Sequence, residues 1–319
     1  MAILGNDVSK ATFDATLIDE LGQQHHQQFS NDEGGFKQLQ KWLKQHQINQ
    51  LHACLEATNL YWEQLAEYLY QPGYTVSVVN PARIKGFAQS QLRRNKTDKQ
   101  DSQVIAQFCA RTQPKAWQPP SPEQRKLRAL VRHLQNLKQS LTQHTNRLHT
   151  CQDTEVRASL EFLIETFKVQ IAQTEAQIQA FIDQSPELKE KQALLLSIKG
   201  IGPKTANHLL AEMYDLAEYD SARAAAADAG LTPAHYQSGT SVKQRPKLSK
   251  VGKAAVRGAL YLPAIAALQH NPILQDLHSR LTAAGKHPQV IIGAAMRKLL
   301  HLAYGVLKHR QPFDPAYLA

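Results

Sequence analysis

The chain has 319 residues, a length that suits two domains, and its 42% hydrophobic content is typical of a soluble globular protein. A net charge of +10 and a pI near 9.4 indicate a polyanionic partner such as nucleic acid. Three widely spaced cysteines exclude a disulfide framework, and without a signal-peptide pattern or an apolar run of bilayer length we expect a cytoplasmic protein with no membrane partner.

The first hundred residues alternate between strand and helix patterns. Residues 2–8 and 12–18 read as two strands, the second with alternating apolar residues, and 23–29 reads as a third, more polar strand. The elements predicted after them are a helix over 36–43, a strand at 51–56, a helix at 61–70, a strand at 75–79 and a short amphipathic segment at 82–91. A meander followed by strand–helix alternation predicts a mixed α/β sheet with helices on its faces.

Four acidic residues lie where predicted strands end or a predicted helix begins. Asp7 lies near the end of the first strand and Glu56 ends the fourth, while Asp98 and Asp101 open a helix for which Thr97 or Asp98 is the N-cap. Such positions converge at one edge of an α/β sheet, where four carboxylates repel one another unless cations intervene. The pattern predicts a two-magnesium site with ions about 4 Å apart. The plainer alternative is a capped, solvated helix start.

These carboxylates and their neighbours resemble a known nuclease group. Asp7 in Gly-Asn-Asp-Val-Ser-Lys, Glu56 in Leu-Glu-Ala-Thr, and Asn-Lys-Thr-Asp-x-x-Asp at 95–101 look like the DEDD set of RuvC-like nucleases with a ribonuclease-H fold. With the preceding Val-Val-Asn-Pro, the chain resembles the insertion-sequence transposases of the family numbered one hundred and ten, described as bridge-RNA-guided or seek-RNA-guided recombinases. The resemblance covers nearly the whole chain. Asn6 is a minor departure.

The resemblance implies a function and a set of partners. An N-terminal RuvC-like domain would hold Mg²⁺ through the four carboxylates, and the partners would be a guide RNA, donor DNA and target DNA. The protein would act as a homo-oligomer, a dimer that becomes a tetramer on DNA, and would associate with the nucleoid when active. Members of this family carry a nucleophilic serine in a Ser-Gly motif after Gly-Leu-Thr-Pro. Ser238 matches that position, and Ser241 is the reserve.

The middle of the chain reads as a linker and two long helices. The proline-rich segment 114–122 predicts a stiff linker. Two heptad-spaced apolar runs, 127–148 and 160–181, predict an antiparallel coiled-coil hairpin, although two core helices of a bundle would give the same pattern. Polar residues crowd the outer face of the first run, and we expect them to be solvated surface: Gln135, Gln139, Gln143 and His144.

Residues 194–213 read as helix, glycine turn and helix. This is the helix-hairpin-helix pattern, in which Gly200 and Gly202 let the backbone approach a phosphate and Lys204 adds positive charge. A plain turn between two helices is an equal alternative. The spacing of a P-loop is absent, so nucleotide hydrolysis is not expected.

The segment 241–257 contains basic residues and no acidic residue, which predicts a nucleic-acid-binding loop. The basic residues are Lys243, Arg245, Lys247, Lys250, Lys253 and Arg257, of which the first five are the candidate contacts. A serine beside such cations could attack a phosphodiester, and His235 is the nearest candidate base. The last segment, 273–309, is predicted to be apolar-periodic core helix.

Together these patterns predict an α/β ribonuclease-H-like domain at 1–113, a linker with a helical coiled-coil hairpin at 114–186, and an α-helical transposase domain with a helix-hairpin-helix at 187–319. The expected function is RNA-guided DNA recombination. Two alternatives stay open: a RuvC-like structure-selective nuclease that uses water, and a non-catalytic nucleic-acid-binding scaffold with a degenerate carboxylate site.

Overall fold

The computed structural model describes residues 1–58, 60–91, 97–234, 237–238, 242–243 and 247–318. The chain divides between Pro119 and Pro120 into two compact units. The first unit is a mixed α/β structure and the second is mostly helical.

The first unit is built on a five-stranded sheet with the order β3-β2-β1-β4-β5. Its strands are β1 (Ala2–Val8), β2 (Thr12–Ile18), β3 (Gln24–Ser30), β4 (Leu51–Glu56) and β5 (Thr75–Val79). The first three strands are antiparallel to one another, whereas β1, β4 and β5 are parallel. The predicted mixed sheet, with a meander followed by strand–helix alternation, is confirmed.

Four helices complete this unit: α1 (Glu33–Gln45), α2 (Trp62–Tyr70), α3 (Pro81–Ser90) and α4 (Asp98–Thr112). Side-chain oxygens satisfy free backbone donors at three of the helix starts, as expected for N-caps. Asp32 caps α1 and Asn80 caps α3. Of the two candidate caps for α4, the structure uses Thr97, whose hydroxyl accepts from the backbone N–H of Gln100.

One face of the sheet carries the apolar core of the unit. Alternate residues of the strands point to this face, because side chains along a strand point to opposite sides in turn. Phe13 and Leu17 of β2 are buried there with Leu4 of β1, against Leu39 of α1 and Leu65 of α2. The strands therefore leave their opposite face to α4 and to a set of polar side chains.

Helix α4 lies directly against the opposite face at Gly5. A β-carbon at Gly5 would overlap backbone atoms of Ser102 and Ala106, so only glycine permits this approach. Thr16 pairs with Gly5 across β1 and β2, and its hydroxyl bonds to the Ser102 hydroxyl at 2.8 Å. Because Ser102 directly follows Asp101, these contacts hold the first turn of α4 in place on the sheet.

The second unit contains eight α-helices within the ranges described above. They are α5 (Pro122–Thr150), α6 (Thr154–Asp183), α7 (Pro186–Leu196), α8 (Pro203–Glu212), α9 (Ala222–Asp228), α10 (Ala254–His270), α11 (Pro272–Ala283) and α12 (Pro288–His309). The prediction of one continuous helix over 273–309 is wrong. Gly285, at φ +66°, follows the end of α11, and His287 caps a new helix that begins at Pro288.

Helix α12 is central to the second unit. Among the described helices, it has the length and apolar composition that a membrane span would need. More than half of its apolar window is buried, however, and Leu299, Leu300 and Ala303 lie in the unit's core. The core helix of a soluble protein passes the same test, so packing within the unit accounts for the composition of α12.

Helices α5 and α6 form an antiparallel pair joined by residues 151–153. Lys138 and Glu175 form an ion pair at 2.7 Å, and the rings of His144 and Phe167 lie 5.2 Å apart. The base of the pair is part of the unit's core, through Leu127, Val131, Leu134, Ile178 and Ile182. Core packing therefore explains the heptad pattern at the base, and the coiled coil stays a prediction for the outer part.

An ion pair between a partly exposed arginine and a buried glutamate joins α5 to α8. The guanidinium of Arg132 donates two hydrogen bonds to Glu212, at 2.7 Å and 3.0 Å. Burial alone would raise the pKa of Glu212, but the bonded Arg132 holds this pKa below its ordinary value. The paired carboxylate therefore stays charged inside the unit and sets how α8 lies against α5.

Candidate metal centre and nucleic-acid-binding segments

The four predicted carboxylates lie at one edge of the first unit's sheet. Strands β1 and β4 are parallel, and Asn6 pairs with Leu55, so Asp7 and Glu56 follow at equivalent positions where the two strands end. Helix α4 packs on these strands, and its first turn carries Asp98 and Asp101. Two strand ends and one helix start thus supply the set, as open α/β sheets commonly do at their functional edge.

The charges of these carboxylates act on Asp7. Burial, followed by the charges of Asp101, Glu56 and Asp98, raises the pKa of Asp7 to about 6. The structure therefore brings Asp101, Glu56 and Asp98 within electrostatic reach of Asp7. In the described ranges, no three acidic, histidine or cysteine side chains are gathered tightly enough to surround one ion. As a donor set, four carboxylates suit a hard divalent cation, and such an ion would offset their mutual repulsion.

A fifth acidic residue, Asp14, belongs to the same edge and was missed in the sequence. It lies directly opposite Asp7 across β1 and β2, is nearly buried, and adds to the rise in the pKa of Asp7. Its two oxygens are bonded at 2.8 Å to Nε2 of His26 and to Nε2 of Gln28, both in β3. The alternation of β2 could have revealed Asp14, because a short hairpin pairs it with Asp7.

Replacing Asp7 with asparagine is expected to stabilise the metal-free first unit at neutral pH. Because the folded protein binds the Asp7 proton more tightly, stability is lost as pH rises from 3.8 through about 6. One pKa unit corresponds to about 1.4 kcal/mol of unfolding free energy, so the rise from 3.8 to about 6 would amount to about 3 kcal/mol without screening. Solvent screening at this partly open site lowers the expected gain in unfolding free energy to about 1 kcal/mol. Urea unfolding in EDTA can follow the three tryptophans, all of which lie in the first unit.

The stabilisation of Asp7→Asn should shrink towards zero near pH 4, where the wild-type carboxyl is itself protonated. The contrasting variant is Asp32→Asn, because the hydrogen bond from Gly35 lowers the pKa of Asp32. That variant should gain no stability at neutral pH. Equal stability of Asp7→Asn and wild type at pH 7.5 would mean that the carboxylates do not strain the folded unit.

Ser238 is part of a small β-structure in the second unit. β6 (Pro233–Ala234) pairs with β9 (Lys247–Leu248), and β7 (Gln237–Ser238) pairs with β8 (Val242–Lys243). Residues 242–243 and 247–248 of the basic segment predicted as a loop are therefore strand-paired, and 254–257 form the first turn of α10. Ser238 is the last residue of β7 and pairs with Val242. Ser241, Arg245 and the candidate base His235 lie outside the described residues.

Two of the basic residues in this region have structural partners. Lys253 pairs with Asp228 at 2.9 Å, and the guanidinium of Arg257 donates to the backbone carbonyls of Ala229 and Gly252. These contacts hold the segment before β6 to the start of α10. The charges of Lys253 and Arg257 are therefore partly neutralised by groups of the protein itself. Lys247 and Lys250 are exposed and remain candidates for phosphate contact, as does Lys243 by its position in β8.

The glycines of the predicted helix-hairpin-helix have different surroundings. Gly200 has φ +106°, and a β-carbon there would overlap Ala267 of α10, so close helix packing already explains this glycine. Gly202 caps α8 and faces open space. Lys204 is exposed and lies 3.4 Å from Glu175. Phosphate contact by this turn stays a prediction, now centred on Gly202 and Lys204.

Comparison with known proteins agrees with this geometry. Residues 4–154 match a family model for a transposase, labelled DEDD_Tnp_IS110. Residues 192–279 match the model of the "Transposase IS116/IS110/IS902 family". The first model contains the whole carboxylate set, and the second contains the segment with Ser238.

Individual relatives extend the likeness to almost the full length. The chain is 37% identical over 314 residues to a "Pilin gene-inverting protein" of Moraxella bovis, covering 98% of this chain and 97% of that protein. The protein of the same name from Moraxella lacunata matches to the same extent. An "Insertion element IS110 uncharacterized 43.6 kDa protein" of Streptomyces coelicolor is 30% identical over 39% of the chain. The chain therefore belongs to the IS110 transposase family, whose members process DNA in recombination and in mobile elements.

Proposed function

We propose that this protein is an RNA-guided DNA recombinase that cuts and exchanges strands with a carboxylate-held metal centre and a nucleophilic serine. The observation that carries the proposal is the meeting of Asp7, Glu56, Asp98 and Asp101 at one sheet edge, in a chain that belongs to a transposase family. These side chains would hold divalent ions, of which Mg²⁺ suits an all-oxygen set. When bound, such ions stabilise the charge that develops on a reacting phosphate.

Ser238 supplies the nucleophile in this proposal. Its hydroxyl oxygen forms a bond to phosphorus while the bond from phosphorus to a deoxyribose oxygen breaks, and the hydroxyl proton passes to the departing oxygen. Attack of a deoxyribose hydroxyl on the phosphoserine then reseals a strand and restores Ser238. The exposed Lys247 and Lys250 would hold the DNA backbone near this segment through their charge.

The partners follow from charge and exposed surface. A net charge of +10 suits a protein that holds a guide RNA together with donor and target DNA. Along α6, Phe162 keeps 73% of its surface exposed and Val169 keeps 48%, and their two-turn spacing places them on one face of the helix. We infer that a second copy covers them through a coiled-coil contact, giving a dimer that becomes a tetramer on DNA.

DNA inversion is a second candidate outcome of the same chemistry. It is favoured by the near full-length match to two proteins named for inverting a pilin gene. Strand exchange between two inverted sites on one molecule inverts the segment between them, whereas exchange between two molecules moves an element. The active site needed is the same, so a substrate with two inverted sites would distinguish the outcomes.

The metal centre can be tested with Asp98→Asn. The variant should lose DNA cleavage by about a hundredfold or more, because one ligand of the charge-stabilising centre is gone. It should still bind DNA and co-purify with RNA, because phosphate contacts with lysine and arginine dominate affinity. A cleavage assay with Mg²⁺ and sequencing of the co-purified RNA measure both properties.

The matched control is Asp276→Asn, which removes an exposed carboxylate from α11. It should cleave like wild type. Full cleavage by Asp98→Asn would exclude the metal centre, whereas no cleavage by the wild-type protein would support a non-catalytic scaffold. A wild-type preparation that contains no single defined RNA species would contradict the proposal of a guide RNA.

A further inference from the structure

A groove of about 740 Å³ lies between α5, α6 and α8 of the second unit. Its floor is apolar, since Val131, Leu134 and Ile178 line it and are almost fully buried. Its walls carry amide side chains, namely Gln135, Gln139, Gln143, Asn146, Gln179 and Asn207. An apolar floor with several converging polar groups, at this volume, is typical of a small-molecule or nucleotide site.

The amides on α5 are free to bind a ligand. Gln135, Gln139 and Gln143 follow one another at four-residue steps and therefore form one row along the helix. None of the three has a side-chain hydrogen bond to another group in the part of the chain that the structure describes. An amide offers both a donor and an acceptor, and this pair of functions is what recognises the edge of a nucleobase.

Charged residues lie beside the amides. The ammonium groups of Lys138 and Lys204 share one carboxylate oxygen of Glu175, at 2.7 Å and 3.4 Å. Two positive charges and one negative charge leave a positive surplus. The start of α8 at Gly202 also has no side-chain cap, so its backbone N–H groups add to the attraction for an anion.

A buried polar atom in the groove lacks a partner. Nδ1 of His208 is buried, and no described group of the protein bonds to it. Burial lowers the pKa of His208, so the ring is neutral at neutral pH and has one donor and one acceptor nitrogen. An unsatisfied buried atom of this kind needs an explanation, and a ligand in the groove supplies one.

We propose that the groove binds one unstacked nucleotide of a single-stranded nucleic acid. The base would lie on the apolar floor against the glutamine row, and the phosphate would take the place of Glu175 as the partner of Lys138 and Lys204. The proposal rests on nucleic acid as the protein's partner, but it uses neither the carboxylate set nor Ser238. A DNA strand and an RNA strand both carry this chemistry, and the binding test separates them.

The test measures fluorescence anisotropy of full-length protein with labelled ten-nucleotide single strands of DNA and of RNA, and with the matching duplexes. The double variant Gln139→Ala with Gln143→Ala should bind its preferred single strand about tenfold more weakly, because base-edge contacts are lost. Its duplex affinity should not change. Whichever single strand shows the loss identifies the source of the nucleotide.

Two charge variants should change the single-strand affinity in opposite directions. Lys204→Gln should weaken single-strand binding. It should also reduce the slope of log affinity against log salt concentration by the amount expected for about one phosphate contact. Glu175→Gln should strengthen binding severalfold, because it releases both lysines. The controls are Glu165→Gln and Lys168→Gln on α6, the helix that carries Glu175. Each breaks an ion pair outside the groove and should change single-strand affinity by less than twofold.

Three results would overturn the proposal. Unchanged single-strand affinity in the glutamine variant would exclude a bound base. Weaker binding by Glu175→Gln would show that the three charges are only structural. A change in the oligomer mass of these groove variants, measured by light scattering, would show that the groove is an interface between protein copies. Wild-type cleavage with loss in Asp98→Asn would leave the proposed function standing in each case.

Discussion

Ser238→Ala is expected to abolish recombination and to form no covalent protein–DNA adduct. A serine that attacks phosphorus cannot be replaced by a methyl group, and loss of a nucleophile commonly costs about 10³-fold or more. Ser238 ends β7, and its backbone position is set by pairing with Val242. The variant should therefore fold and bind DNA normally. Denaturing gels of labelled DNA reveal the adduct, and a recombination assay measures the products.

The control for this prediction is Ser241→Ala. It removes a hydroxyl three residues further along the same segment, and substantial activity should survive. Loss of the adduct in Ser241→Ala alone would move the nucleophile to that residue. If both variants recombine like wild type, water is the nucleophile and the protein acts as a RuvC-like nuclease.

Gly5→Ala is expected to reduce cleavage about a hundredfold without changing any charged group. The added β-carbon would overlap the backbone of Ser102 and Ala106, so α4 has to move away from β1. Asp98 and Asp101 would move with it, and a displacement of about 1 Å at catalytic groups costs about a hundredfold in rate. Overpacking should also destabilise the first unit by about 1–3 kcal/mol.

Gly86→Ala is the matched control, because Gly86 lies within α3 of the same unit and a β-carbon there meets no atom within 4 Å. This change should preserve cleavage and stabilise the unit by about 0.5–1 kcal/mol, since alanine favours helix. Tryptophan fluorescence during urea unfolding measures both variants. Normal cleavage by Gly5→Ala would show that the approach of α4 does not position the carboxylates.

The first unit follows closely from the sequence because local signals agree there. Strand β2 alternates apolar and polar residues, and side-chain caps begin α1, α3 and α4. The meeting of Asp7 with Asp101 was predictable from topology alone, because strand ends and helix starts share one edge. Asp14 was not recognised, since its role depends on the pairing of two strands.

The second unit depends more on contacts between distant residues. A periodic apolar pattern does not reveal a break, so residues 284–287 were included in one helix although Gly285 interrupts it. The glutamines of α5 were expected to be plain surface, yet they line a groove that exists only because α6 and α8 pack beside them. Gly200 likewise has a packing role that its turn motif does not show.

The order of the carboxylates along the chain has a consequence for protein synthesis. Asp7 and Glu56 leave the ribosome early, but Asp98 and Asp101 follow later, and α4 can pack on Gly5 only after the helix has emerged. A nascent or prematurely terminated chain that stops before residue 98 holds half of the set and lacks the helix that covers the sheet. Translation itself therefore delays the assembly of the four-carboxylate set until the α/β unit is complete.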